Sequence, residues 1–214
     1  MTRNVCAEFR GSLYLGLSLL LLISLASCLP EFQHPIPPPP ELKADQQILG
    51  TWVRTTEKGS KEQLSIFPRN SGWTDVVYIS GIDSKESQDG INVAVFEGYS
   101  ASVNKQRFLC FRLREKDVHE AEKEIGGFGY RIANYETPGN GTLIVKLFSM
   151  EKAKELVKEG KLKGEIVKQG QYFDKVTITS SSEELVEAVS REGLGAFVEP
   201  GEDDVLVFSR GVAR

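Results

Sequence analysis

From residue 48 to residue 148 short runs rich in Val, Ile, Phe and Tyr, some with apolar and polar positions alternating at a period of two, are bounded by Gly, Asn, Asp or Ser clusters. The stretch Ile48-Leu49-Gly50-Thr51-Trp52-Val53 predicts a first strand, and residues 63–67, 74–80, 91–100 and 106–113 predict four more. Within the fourth, Val93, Val95 and Glu97 alternate with Ala94, Phe96 and Gly98. Phe67-Pro68-Arg69-Asn70-Ser71-Gly72 reads as a turn and residues 81–90 as a polar loop. Residues 128–136 and 142–148 predict a hairpin joined by Pro138-Gly139-Asn140-Gly141. Asn-Gly is a strong turn signal because both residues accept the positive φ that a tight hairpin demands.

The period then changes to that of a helix. Ser149 can cap a helix running to about residue 159, with Met150, Ala153, Leu156 and Val157 on one stripe and Gly160 as the stop. Ser181-Ser182-Glu183-Glu184 has the form of a capping box and opens a second helix through Leu185, Ala188 and Val189, with Gly193 beyond it. Strands are expected at 164–168 and 175–179, and Val205-Leu206-Val207-Phe208 is expected to close the sheet. Many short antiparallel strands with two late helices predict a mainly β protein: an antiparallel curved sheet or barrel.

Ahead of this pattern lies a different one. Arg3 and Arg10 precede an apolar run from Gly11 to Leu25, which ends in small residues. A basic start, a short greasy core and a small-residue end make a secretory signal. A stable span needs about 20 apolar residues, and this run gives way to Glu31 and a proline cluster, which makes a transmembrane helix the weaker reading. Leu25-Ala26-Ser27-Cys28 resembles the lipobox of bacterial lipoproteins: an aliphatic residue, two small ones, then cysteine. The resemblance implies that Leu25, Ala26 and Ser27 are read by the signal peptidase. It further implies that Cys28 takes a diacylglyceryl group on its sulfur and becomes the first mature residue, its amine usually acylated as well. Leu29 after Cys28, in place of Asp, implies delivery to the outer membrane, facing the periplasm, in a host that has one. An ordinary cut using Ser24 and Ala26 would instead release a soluble product. Two or more acyl chains hold a protein stably in a bilayer, at about 0.8 kcal/mol for each buried CH₂.

Charge and cysteine usage narrow the partners. The chain carries a formal charge of −4, and about −5 once the leader takes Arg3, Arg10 and Glu8, a net +1, with it. That balance argues against a nucleic-acid partner, which calls for clustered positive charge. Of three cysteines, Cys6 leaves with the leader and Cys28 takes lipid, so Cys110 stands alone and no intramolecular disulfide forms. Its setting, Arg107-Phe108-Leu109-Cys110-Phe111, predicts a packed, inert thiol. Residues 28–46 hold Pro30, Pro35, Pro37, Pro38, Pro39 and Pro40 and are expected to form a stiff tether, spanning on the order of 50 Å at about 3.1 Å per residue. The domain organisation expected is therefore leader 1–27, tether 28–46 and β domain 47–214.

Gly50-Thr51-Trp52 on a first strand resembles the Gly-x-Trp signature of lipocalin-like proteins. The layout from Ile48 to Phe208 is similar to the lipocalin-like half-barrel of small bacterial proteins. So are Tyr130-Arg131-Ile132-Ala133-Asn134-Tyr135-Glu136, Leu143-Ile144-Val145-Lys146-Leu147 and a Lys-rich helix ending Glu159-Gly160-Lys161-Leu162. That resemblance implies a fold and a shallow apolar cleft, with no particular activity. Trp52, Phe96, Phe111, Tyr130 and Phe148 are the candidates to line a pocket, although filling a small barrel is the default for such side chains.

Little else in the chain suggests chemistry. The mature histidines are His34 in the tether and His119 in the charged segment 115–124, neither beside a nucleophile. No His/Cys set with zinc spacing occurs, no cofactor is implied, and Glu199-Pro200-Gly201-Glu202-Asp203-Asp204 lacks a calcium-loop spacing. Gly126-Gly127-Phe128-Gly129 is not followed by a helix, so it fails as a phosphate cradle. Lys152, Lys154, Lys158, Lys161 and Lys163 form a basic edge that could meet anionic headgroups, a solvated helix face being the simpler reading. The sequence predicts a non-enzymatic, lipid-anchored envelope protein that meets other envelope components or, alternatively, binds a small hydrophobic ligand.

Overall fold

The computed structural model describes residues 29–57, 59–82, 91–114, 129–169, 173–199, 201 and 204–211. Among the described residues eleven strands and two α-helices follow one another. They are β1 (Glu31–Phe32), β2 (Gly50–Thr55), β3 (Lys61–Pro68), β4 (Thr74–Ile82), β5 (Asn92–Val103), β6 (Gln106–Leu113), β7 (Arg131–Gly139), β8 (Thr142–Leu147), α1 (Met150–Lys158), β9 (Gly164–Gln169), β10 (Phe173–Ile178), α2 (Ser182–Glu192) and β11 (Val205–Arg210). A short 3₁₀ turn, Leu194–Ala196, follows α2.

Strands β2 to β8 form an antiparallel meander, and β11 closes it by pairing with β8 on one side and β2 on the other. The mainly β architecture expected from the alternation is present, and the sheet closes fully, leaving no free edge. Asn140 and Gly141 sit at φ 55° and 69°, the left-handed pair that the β7–β8 hairpin requires. Asn104 and Lys105 make the same kind of turn between β5 and β6, although Lys gives no sequence signal for it. Ser149 and Ser181 cap α1 and α2, and the capping box at Ser181 and Glu184 is complete.

Residues between β8 and β11 form a layer outside the barrel. There β9 and β10 pair with each other, and β1 adds to β10 in parallel, as a separate three-stranded sheet. Two cores result. Inward side chains, including Trp52, Leu64, Ile66, Val76, Leu109, Ala133, Leu143 and Phe208, fill the barrel. The outward faces of β5, β6 and β7, with Tyr99, Phe108, Cys110 and Ile132, are covered by α1, α2 and the small sheet. That double burial explains why β6 carries the continuous apolar run Phe108-Leu109-Cys110-Phe111.

The proline segment is not a free spacer. Phe32 and Ile36 are 0% and 1% exposed and belong to the outer core. Phe32 exchanges two backbone hydrogen bonds with Tyr130, 2.9 and 2.8 Å, so β1 joins the small sheet to the start of β7. Residues 33–49 continue as a strap. The Ser182 hydroxyl donates to the Pro35 carbonyl at 2.7 Å, and Leu42 presses on Gly72, where an added Cβ would lie 2.1 Å from the Leu42 carbonyl oxygen. At the strap's end Asp45 accepts from the Tyr135 hydroxyl at 2.7 Å. The folded unit thus begins upstream of residue 47, because two apolar side chains among the prolines find a surface that only the assembled barrel offers.

Candidate functional site

Inside the barrel the two ends differ. At the end where β2 starts, the strap forms a plug: the Trp52 indole donates to the Ile48 carbonyl at 2.7 Å and lies under the Arg210 guanidinium, 4.9 Å from the ring centroid. Arg210 also donates to the Leu49 carbonyl at 2.8 Å. Beside it, Arg107 stacks on Tyr135 at 5.0 Å and donates to Thr137, Gln47 and Asp45. Burial, with the Asp45 hydrogen bond and charge adding to it, holds the Tyr135 phenol above its ordinary range, with Arg107 opposing.

At the opposite end, where β2 runs out and β3 begins, inward side chains are only half-buried. Tyr78, Phe96, Phe111, Leu147 and Leu206 pack against the core without being covered by it. Phe96 and Phe111 meet edge to face at 5.3 Å. Arg54 and Glu62 form an ion pair on the inner wall with side chains 19% and 12% exposed, and the Arg54 guanidinium lies 5.7 Å from the Phe208 ring centroid. Burial first, then the charge of Glu62, pushes the Tyr78 phenol well above its usual range, while Arg54 opposes the shift. Among the described residues this mouth combines an apolar wall with the Arg54–Glu62 pair, a combination that can orient a ligand bearing a greasy body and a polar end. No sequence motif singles out Arg54, Glu62 or Tyr78. A signal existed, since Arg54 and Glu62 fall on the same strand parity as Trp52 and Leu64 and face one another across the hairpin.

The five aromatic residues expected to share a pocket are divided by the barrel wall. Trp52 belongs to the plug, Phe96 and Phe111 to the mouth, and Tyr130 and Phe148 to the outer core. Phe148 stacks there with Phe32, Phe108 and Phe197, at centroid distances of 5.9, 6.2 and 4.9 Å. The outer layer had claimed the opposite parity of β5–β7 for its own core, so an aromatic residue on those strands need not face inward. Two shallow surface grooves, each of about 480 Å³, involve none of the five.

Where β1 meets β7 a carboxylate is buried. Glu31 is 4% exposed, and its Oε1 accepts the Gly129 backbone N–H at 3.0 Å. Its Oε2 lies 3.2 Å from Lys175 Nζ and 3.8 Å from Arg131 Nη2. Burial lowers the Arg131 pKa and Glu31 pushes it back. Gly129 is required here, since an added Cβ would fall 2.1 Å from Glu31 Cγ. Cys110 is fully buried and its thiol is pushed up to about 12, mainly by burial. In the basic edge, Lys152 pairs with Glu155, Lys154 with Glu151 and Asp174, Lys161 with Glu159 and Glu192, and Lys163 with Glu184.

Leu25, Ala26, Ser27 and Cys28 lie outside the described residues, as do His119, residues 83–90, Gly126, Gly127 and Phe128, and Pro200, Glu202 and Asp203 of the acidic turn. Among the described residues no group of three or more His, Cys, Asp or Glu side chains is placed to hold a metal ion, and no helix is long and apolar enough to cross a membrane. Compared with known proteins, the chain matches no family model, no curated protein and no solved structure.

Proposed function

We propose that the chain is a non-enzymatic lipoprotein of the bacterial cell envelope, held at a membrane through acylated Cys28 and acting through contacts made by its β domain. The observation that carries this reading is the leader ending in Leu25-Ala26-Ser27-Cys28, an aliphatic, small, small, cysteine pattern placed directly before the domain. Intact-mass analysis and membrane fractionation of the full chain and of Cys28→Ala test it. Wild type should sediment with membranes, begin at Cys28 and carry acyl mass, and the variant should be soluble or keep its leader. A wild-type chain with no acyl adduct, or a Cys28→Ala protein that fractionates unchanged with its leader removed, overturns it.

The half-buried mouth supports a second reading: a binding module for a small amphipathic or apolar ligand seated against Phe96, Phe111, Leu147 and Leu206, with Arg54 and Glu62 at its polar end. Native mass spectra of the same protein separate the two. A reproducible co-purified mass favours ligand binding, and a bare domain counts against it.

A further inference from the structure

The chain leaves no slack between the anchoring cysteine and the folded domain. Glu31 is 4% exposed and Phe32 0%, and both are fixed by the β1 contacts described above. Pro30 is buried as well, and Leu29 is half-buried. Three residues separate the Cα atoms of Cys28 and Glu31, a reach of about 11 Å at most when fully extended. The polar headgroup layer of one leaflet takes up roughly 5–8 Å. An acylated Cys28 therefore cannot have its chains in the hydrocarbon while Glu31 stands far from the headgroups.

The strand register says which part of the domain comes down. β1 runs parallel to β10, with Glu31 opposite Thr177 and Phe32 opposite Ile178. Traced backwards, the chain leaves β1 alongside the first half of β10, toward the end of the small sheet where β9 leads into β10. Val167 pairs with Lys175 and Lys168 with Asp174 at that end. Val167 is 50% exposed, one of the few large hydrophobic side chains the surface leaves open, and Lys168 beside it is exposed. Of the nearby carboxylates, Glu31 faces Lys175 and Asp174 faces Lys154 at 3.0 Å, while Glu165, toward the other end of β9, is exposed. An apolar side chain next to a lysine, with Glu31 and Asp174, the acids closest to this end, each facing a cation, suits a headgroup interface that carries negative charge.

We propose that this end of the three-stranded sheet rests on the surface of the bilayer holding Cys28, so that the domain lies against the membrane with the barrel wall formed by β2 and β3 turned away from it. The proposal rests on the anchoring reading. Its test therefore separates attachment from orientation. A fluorescent amino acid is introduced at position 167 or, in a second protein, at position 67 on β3, where Phe67 is 48% exposed. The mature chain starting at Cys28 is attached to vesicles of phosphatidylethanolamine and phosphatidylglycerol through a maleimide lipid on that cysteine, Cys110 being buried. Headgroup-tethered quencher then reports proximity. Quenching should be several-fold stronger at 167 than at 67. A Gly-Ser insert of about 20 residues between Cys28 and Leu29, spanning roughly 25 Å, should remove the difference. Equal quenching at the two positions without the insert overturns the docking proposal. Acylation in cells is read independently by intact mass, so a missing anchor and a wrong orientation give different results, and either one overturns the proposal.

Discussion

The Tyr99 hydroxyl donates to the Ile36 carbonyl at 2.6 Å, across 63 positions of sequence, and so ties the strap to the barrel wall. Ile36 precedes Pro37, which favours extended backbone and leaves its carbonyl without a regular secondary-structure partner. The Cys110 thiol is the other donor nearby, at 3.9 Å. Tyr99→Phe should therefore lower unfolding stability by about 1–3 kcal/mol, the cost of stranding a buried acceptor. Urea denaturation followed by far-UV circular dichroism measures it, and an unchanged midpoint would remove the strap's main polar tie.

Phe32 tests whether the proline segment belongs to the fold. Its ring is fully buried and packs on Phe148, which also touches Phe108 and Phe197. Phe32→Ala should cost about 3–5 kcal/mol, as truncating a core aromatic does. It should also make residues 33–47 the first site of limited proteolysis. A free spacer would show neither effect, and thermal melting with mapped cleavage sites distinguishes the outcomes.

Cys110 sets an alkaline limit. Its thiol is raised from 9.0 to about 12 in the folded protein, chiefly by burial. The native state thus keeps the proton where the unfolded chain releases it. The contribution is present in full below about pH 9 and is lost progressively as pH rises toward 12. At pH 8 Cys110 of the native protein should resist a thiol reagent that modifies it promptly after denaturation. Cys110→Ala should flatten the fall in stability above pH 9 relative to wild type, whatever its offset at neutral pH. A thiol that reacts readily in the native state at pH 8 would contradict this burial.

What the sequence determined by itself was local. Runs rich in Val, Ile, Phe and Tyr between turn residues placed β2 to β8 within a few residues, Asn140-Gly141 supplied the left-handed turn of the hairpin, and Ser149 and Ser181 marked the two helix starts. These features depend on neighbours a few positions apart, which any reading of the chain can see. Tertiary structure alone decided that β9 and β10 leave the barrel, and that Phe32 and Ile36 turn a proline-rich segment into a strap. It also decided which parity of β5, β6 and β7 faces the interior, and so divided Phe96 and Phe111 from Tyr130 and Phe148. The reason is physical: alternation shows that a strand has two different faces, but when a second layer covers the barrel wall both faces are apolar. Only the long-range packing of residues 29–49 and 148–199 then tells inside from outside.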